Sequence, residues 1–335
     1  MFKKIIFLTF RNKHRFNALG NFAKSKKYKD IFLIVLGGQI KSIIGKFLYY
    51  FKLGKFISID GDPFLFDKNC SINLWLGGTS MKINKKYKNL NNNFVNIENP
   101  LISKEKRLFQ IYPIIKKSSF IRKNPKIVFM GKIFFKPGNP NLINSRDLAE
   151  NQSELVNNFS IIDDESFWLK INSNQDNYIK FENYKIIKTF LREKIILEIN
   201  KKFGKYFSIY GEDCKKIGIE FLKPVYNNKK LNDLYNGNIC LDTGSILGSS
   251  SLHPRSIQII ESGGLLVQSK QQDSEFIWGE MSEKVVLNKL DNLLDILEKY
   301  LSNEKLCNEI LNMLFEKFKN SEIKMYKNLN KLLFN

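Results

Sequence analysis

Residues 254–267, PRSIQIIESGGLLV, decide how this chain is read. Residues 254–261 predict a short helix stopped by Gly263-Gly264, and 265–267 predict a buried strand. Helix, glycine stop and strand together form one step of an α/β layer. Upstream lies the bend 243–255, with Gly244, Ser245, Gly248 and the run Ser249, Ser250 and Ser251. In open α/β sheets, ligands bind beyond the carboxyl ends of strands, where loops and helix N-termini turn N–H groups towards phosphate. A bend of small residues leaves such groups accessible, and Arg255 adds a planar cationic fork at a helix start, so the bend is a candidate diphosphate cradle. The same composition also suits a plain connector with a solvated arginine, and spacing alone does not separate the two.

Working outward, strand and helix signals alternate through the second half. A strand at 126–130 ends in Gly131, and a helix at 182–203 carries Tyr184, Ile187, Leu191 and Ile195 on one face before Gly204. Strands follow at 206–210, capped by Gly211, and at 217–221, followed by Lys223-Pro224; then come a helix at 229–235 and a strand at 238–241. Residues 288–335 are mostly helical, with Leu293, Leu294, Ile296, Leu297 and Leu301 on one face, whereas 134–177 are polar and irregular. The first half repeats the scheme: apolar runs at 5–10, 31–36, 56–59 and 72–76, the last three stopped by glycine-containing turns, with a helix expected at 15–24. Such runs suit buried parallel strands. The pattern breaks between Pro113 and Pro125, which places an N-terminal domain at 1–125, a C-terminal domain at 126–320 and a closing helix at 321–335, read as packing back on the first domain.

Composition bounds the classes. With 335 residues, 43% of them apolar, the chain supports two cores and is not disordered. Cys70, Cys214, Cys240 and Cys307 include no C-x-x-C pair, so they suggest neither zinc nor a disulfide framework, and a reducing compartment is expected. The apolar start, residues 5–10, is too short for a signal peptide, and no run approaches the ~20 residues of a membrane span. The expected location is cytoplasmic. Of 54 Lys+Arg and 33 Asp+Glu, 25 and 6 fall in residues 1–125, leaving 29 and 27 for the remainder. Nearly all of the +21 excess therefore sits in the first half, where it favours anionic partners, unless it reflects only a Lys- and Asn-rich composition with solvated lysines.

The second half resembles the C-terminal domain of GT-B glycosyltransferases, in particular the spore-maturation-type group. There a donor-site helix carries R-x-x-E-x-x-x-x-G and runs into a short strand. Arg255 and Gly263 match that pattern; the glutamate position holds Gln258, and Glu261 lies three residues further on. The resemblance implies an α/β enzyme of two Rossmann-like domains with an interdomain cleft, a nucleotide-sugar-dependent transferase. Its donor would be held by the C-terminal domain through Gly131, Lys132, Gly211, Lys223, Gly244, Ser245, His253, Arg255, Gln258, Glu261 and Gly263. It implies no bound metal or other cofactor, the leaving diphosphate being stabilised by helix N-termini and basic side chains. The acceptor would be a glycan or a lipid-linked molecule, in cell-surface polysaccharide or lipopolysaccharide synthesis. A general base is then needed on the N-terminal side: His14 is the first candidate and Asp62 the second.

Other readings remain open. Asp60-Gly61-Asp62 at a strand end has the Asp-x-Asp spacing with which metal-dependent GT-A transferases hold a divalent ion, although Pro63 equally suits an ordinary turn. The basic first half with Phe47, Tyr49, Tyr50 and Phe51 fits a nucleic-acid-binding protein, but no recognised motif supports it and no nucleic acid is expected. Residues 40–56, IKSIIGKFLYYFKLGKF, suit either peripheral attachment to an anionic membrane or a helix packed on the sheet.

Overall fold

The computed structural model describes residues 6–9, 32–36, 55–60, 72–75, 94–96, 119–121, 125–133, 177–211, 215, 217–244, 254–270, 274, 278–287, 289–318 and 323. The chain divides into two compact units, Met1–Pro113 with Asn320–Asn335, and Ile114–Lys319. In the first, β1 (Ile6–Thr9), β2 (Phe32–Leu36), β3 (Lys55–Asp60), β4 (Ile72–Trp75) and β5 (Phe94–Asn96) pair in that order. Every pairing is parallel, as the unbroken apolar runs predict.

The second unit carries β6 (Ile127–Met130), β7 (Phe207–Tyr210), β8 (Ile239–Asp242), β9 (Leu265–Ser269) and β10 (Val286–Leu287), in the spatial order β10-β9-β8-β6-β7 and again all parallel. Both central strands, β8 and β9, are buried throughout, so their side chains meet packed layers above and below. Helices α1 (Asn177–Phe203), α2 (Asn228–Tyr235), α3 (Pro254–Glu261), α4 (Ser282–Val285), α5 (Leu290–Ser302) and α6 (Glu304–Phe318) supply those layers.

Local chemistry sets the ends. Asn227 caps α2 by accepting from the Lys230 amide at 3.2 Å. Pro254 opens α3 at the position where a missing N–H is no loss, and Gly263, at φ +78°, closes it. Asn303 separates α5 from α6 and caps the latter, its Oδ1 accepting from the Leu306 amide at 3.0 Å. Amphipathic spacing turns Leu290, Leu293, Leu297 and Tyr300 of α5 inward, and likewise Cys307, Ile310, Leu311, Leu314, Phe315 and Phe318 of α6. Below them Trp278 meets Phe318 edge-on at 5.7 Å and donates its indole N–H to Gln268 of β9 at 2.8 Å.

One expectation fails. Residues 217–221 are not a strand: Gly218 lies at φ +72° in a turn whose amide bonds back to the Lys215 carbonyl, and only Leu222 makes an isolated bridge, to Tyr210. Within the run only Ile219 is buried; Ile217 and Phe221 are half-exposed, and Gly218 and Glu220 are exposed. The short β5 and β10 are additions to the elements read from sequence. The expected helix at 15–24, residues 40–54 of the segment 40–56 and residues 134–176 lie outside the described residues, while Lys55 and Phe56 open β3. No described helix is long and apolar enough to cross a membrane.

Candidate functional site

The sheet order of the second unit places one reversal. From β6 the chain proceeds to β7 on one side, then returns across β6 to β8 and continues to β9 on the other. Connections leaving β6 and β8 at their carboxyl ends therefore part from each other, which is where open α/β sheets form a ligand crevice.

Gly131 follows β6 directly and donates its amide to the Tyr210 carbonyl at 3.1 Å. A methyl group there would stand 3.2 Å from Cζ of Phe129 and 3.4 Å from Nη1 of Arg255, so the Arg255 guanidinium lies within van der Waals reach of the side-chain position of Gly131. Arg255 belongs to the first turn of α3, and that places the positive end of the helix and a guanidinium at the same point of the switch. Lys132, next in the chain after Gly131, is exposed.

The loop leaving β8 is held in place from below. Asp242 has no exposure; its Oδ1 accepts the Gly244 amide at 3.0 Å, and its Oδ2 accepts the Ser256 hydroxyl at 2.5 Å. One carboxylate thus ties the end of β8 both to the bend and to the first turn of α3. Gly244 sits at φ +76°, a conformation that favours glycine, and its carbonyl accepts from Nη2 of Arg192 at 2.9 Å. Arg192, only 5% exposed on α1, donates through Nη1 to the Lys132 carbonyl at 2.5 Å. Under the site lies the Tyr235 phenol, 1% exposed, which finds no hydrogen-bond partner among the described residues. Burial pushes its pKa up, the Arg255 charge opposes that rise, and Cys240 and Asp242 add to it. Thr243 Oγ1 is likewise buried and unpartnered among the described residues.

Of the residues singled out from sequence, Gly131, Lys132, Gly244 and Arg255 come together here. Gln258 lies about one turn further along α3, half-buried, and its carbonyl accepts both the amide and the hydroxyl of Ser262. Glu261 is a further turn away, and Gly263 lies past the far end of the helix, at the amino end of β9. A methyl at Gly263 would stand 2.5 Å from the Ser119 carbonyl oxygen and 2.6 Å from Nδ2 of Asn236, so the position is occupied by glycine for a close backbone approach. Gly211 ends β7, one strand away from the switch, with its amide on the Leu222 carbonyl, and exposed Lys223 follows Leu222. His14, Asp62, Ser245 and His253 lie outside the described residues; Asp60 closes β3. Among the described residues no cluster of His, Cys, Asp and Glu could hold a metal ion.

Arg192, Asp242 and Ser256 were not foreseen. Two signals were available for the first two: a charged residue on the apolar face between Leu191 and Ile195, and an acid ending an apolar strand.

No protein-family profile matches this sequence, and no curated protein sequence matches it. Solved structures do. The DNA-modifying enzyme β-glucosyltransferase, studied with and without uridine diphosphoglucose, aligns over 99% of this chain and 97% of its own at 12% identity, with a TM-score of 0.56. The phage T4 β-glucosyltransferase bound to UDP-glucose aligns over 99% and 98% at 12% identity, with a TM-score of 0.54. A UDP-forming α,α-trehalose-phosphate synthase from Burkholderia xenovorans aligns over 96% of this chain and 78% of its own at 10% identity, with a TM-score of 0.45. The likeness to the β-glucosyltransferase structures shows the fold: this is an α/β chain with the GT-B glycosyltransferase fold.

Proposed function

We propose that the chain is a glycosyltransferase that takes a sugar from a nucleotide-activated donor held at the β6/β8 switch point. The observation that carries this reading is the Arg255 guanidinium, in the first turn of α3, lying within reach of the side-chain position of Gly131 after β6, so that a cation and a helix N-terminus converge where a diphosphate is ordinarily received. The β-glucosyltransferase structures, whose donor is UDP-glucose, support a uridine diphosphate sugar as the first donor to test. The R-x-x-Q-x-x-x-x-G run supports the spore-maturation-type group as the nearer relation, with Gln258 in place of the glutamate.

In this reading the acceptor hydroxyl attacks the anomeric carbon, a base on the first unit takes its proton, and the bond from that carbon to the diphosphate oxygen breaks. His14 is the proposed base, with Asp62 second. Arg255 and the N-terminus of α3 receive the charge that develops on the departing diphosphate, without a metal. The GT-B fold speaks against the Asp60/Asp62 metal reading. The excess of 25 basic over 6 acidic residues in 1–125 supports an anionic acceptor, which we assign to a glycan or lipid-linked molecule at the inner face of a membrane, in cell-surface polysaccharide or lipopolysaccharide synthesis.

A thermal-shift panel of UDP-, GDP-, ADP-, dTDP- and CMP-sugars tests the donor assignment. At a hundred-fold excess over Kd a true donor adds about 2.7 kcal/mol, roughly 5–10 °C in Tm. The shift should vanish in Arg255→Ala; no shift with any member of the panel, or an undiminished one in the variant, overturns the reading. Vesicles of anionic lipid and duplex DNA, offered at low salt, then separate the acceptor classes: binding of DNA but not vesicles would replace the lipid-linked assignment.

A further inference from the structure

We infer that Arg192 is a positioning residue for the donor, fixing the separation of the two loops that form the switch-point crevice. This rests on the donor reading above. The guanidinium bonds one carbonyl on each side: Lys132, directly after Gly131, and Gly244 at the start of the bend leading to Arg255. Those partners lie 60 and 52 residues away in the chain, so the bridge joins segments that no local turn connects.

Packing alone does not call for an arginine. Around it α1 buries Phe190, Leu191, Ile195, Ile196 and Ile199 together with Thr189 and Glu193, and apolar residues are the usual occupants of such a face. What an apolar side chain lacks is a planar fork whose two arms donate in fixed directions. With Gly244 bonded through its amide to Asp242 and through its carbonyl to Arg192, both peptide groups flanking the glycine are held. On the opposite side, the Lys132 carbonyl is held next to Gly131, the residue that Arg255 approaches. Arg192 touches neither diphosphate nor sugar in this scheme; it acts through the loops.

The test uses the full-length chain and the member of the nucleotide-sugar panel that stabilises wild type, UDP-glucose being the first offered. Kd is measured by calorimetry, and Tm without ligand, for Arg192→Met, Arg192→Lys and Ile199→Val. Arg192→Met should weaken binding about ten-fold or more, and Arg192→Lys, whose ammonium lacks the fork, should lie between it and wild type. Ile199→Val, which loosens the same helix without touching either loop, should lower Tm while leaving Kd unchanged. A folded Arg192→Met with wild-type Kd overturns the inference while the donor reading stands. If that variant fails to fold, a folded Arg192→Lys with wild-type Kd overturns it instead. A wild-type chain that binds no member of the panel removes both.

Discussion

Replacing Asp242 tests whether the bend and the α3 N-terminus are held as one unit. Its carboxylate accepts the Gly244 amide at 3.0 Å and the Ser256 hydroxyl at 2.5 Å, with no solvent to replace it. In Asp242→Asn the amide oxygen can still take the Gly244 N–H, and Ser256 can rotate its hydroxyl to accept from the new NH2. Each bond then loses only its charge assistance, about 1 kcal/mol apiece or ~2 kcal/mol together. In Asp242→Ala both donors lose their acceptor in a buried setting, at about 1–3 kcal/mol each or roughly 2–6 kcal/mol together. For a unit of about 200 residues these figures correspond to roughly 4–8 °C and 4–24 °C in Tm. The assay is urea unfolding followed by far-UV circular dichroism, with nucleotide-sugar affinity measured on the folded variants. The expected order is wild type, Asn, Ala in stability, with affinity falling in the same order because the bend loosens. An Asp242→Ala chain within about 1 kcal/mol of wild type would refute the reasoning, since a buried acceptor of two hydrogen bonds cannot be lost so cheaply.

Gly263→Ala should destabilise the second unit by about 3 kcal/mol or more, because left-handed backbone alone costs an alanine about 1–2 kcal/mol and the methyl also meets the Ser119 carbonyl. Its folded fraction should keep wild-type donor affinity, since eight residues of helical rise put the position about 12 Å from Arg255; a change in Kd without a change in stability would return Gly263 to the donor site. Tyr235→Phe should be neutral or stabilise by about 1 kcal/mol in urea unfolding at pH 8, because the hydroxyl is buried without a partner among the described residues. Burial raises the folded pKa of that phenol above its unfolded 10.0, so the neutral form belongs to the fold. Stability is then intact below pH 10.0 and declines as pH rises from there towards the folded pKa, and the phenylalanine variant should show a shallower decline between pH 9 and 11. An equally steep decline in both would mean that Tyr235 contributes none of it.

Much of the fold was legible because parallel strands bury both faces and leave little room for polar residues. Phe32–Leu36, Ile127–Met130 and Ile239–Asp242 each stand out as a short apolar run ended by glycine or an acid, and Leu265–Ser269 as one opened by Gly263-Gly264. The segment 217–221 misled because an apolar composition does not require pairing: only Ile219 is buried, and Gly218 at φ +72° breaks the extended path. Val286–Leu287 and Phe94–Asn96, with two and three residues, are shorter than any pattern of alternation or burial can mark.

The site was legible where one residue's chemistry sufficed and hidden where it depended on partners. Arg255 announces itself as a cation at a helix start, and Gly131 and Gly244 as glycines after strands. Gly263 shares the motif yet lies at the opposite end of α3, because a motif written along one helix runs from the carboxyl edge of the sheet to the amino edge. Only the first turn of such a helix offers free N–H groups to a phosphate, so Gln258, about 4.5 Å along the axis from Arg255, is nearer to that end than Glu261 at about 9 Å. Arg192 could not be ranked from sequence, because its two carbonyl partners become neighbours only when β6 and β8 lie side by side. The same pairing brings Gly131 close to Arg255, so that approach and the arginine bridge arise from one register.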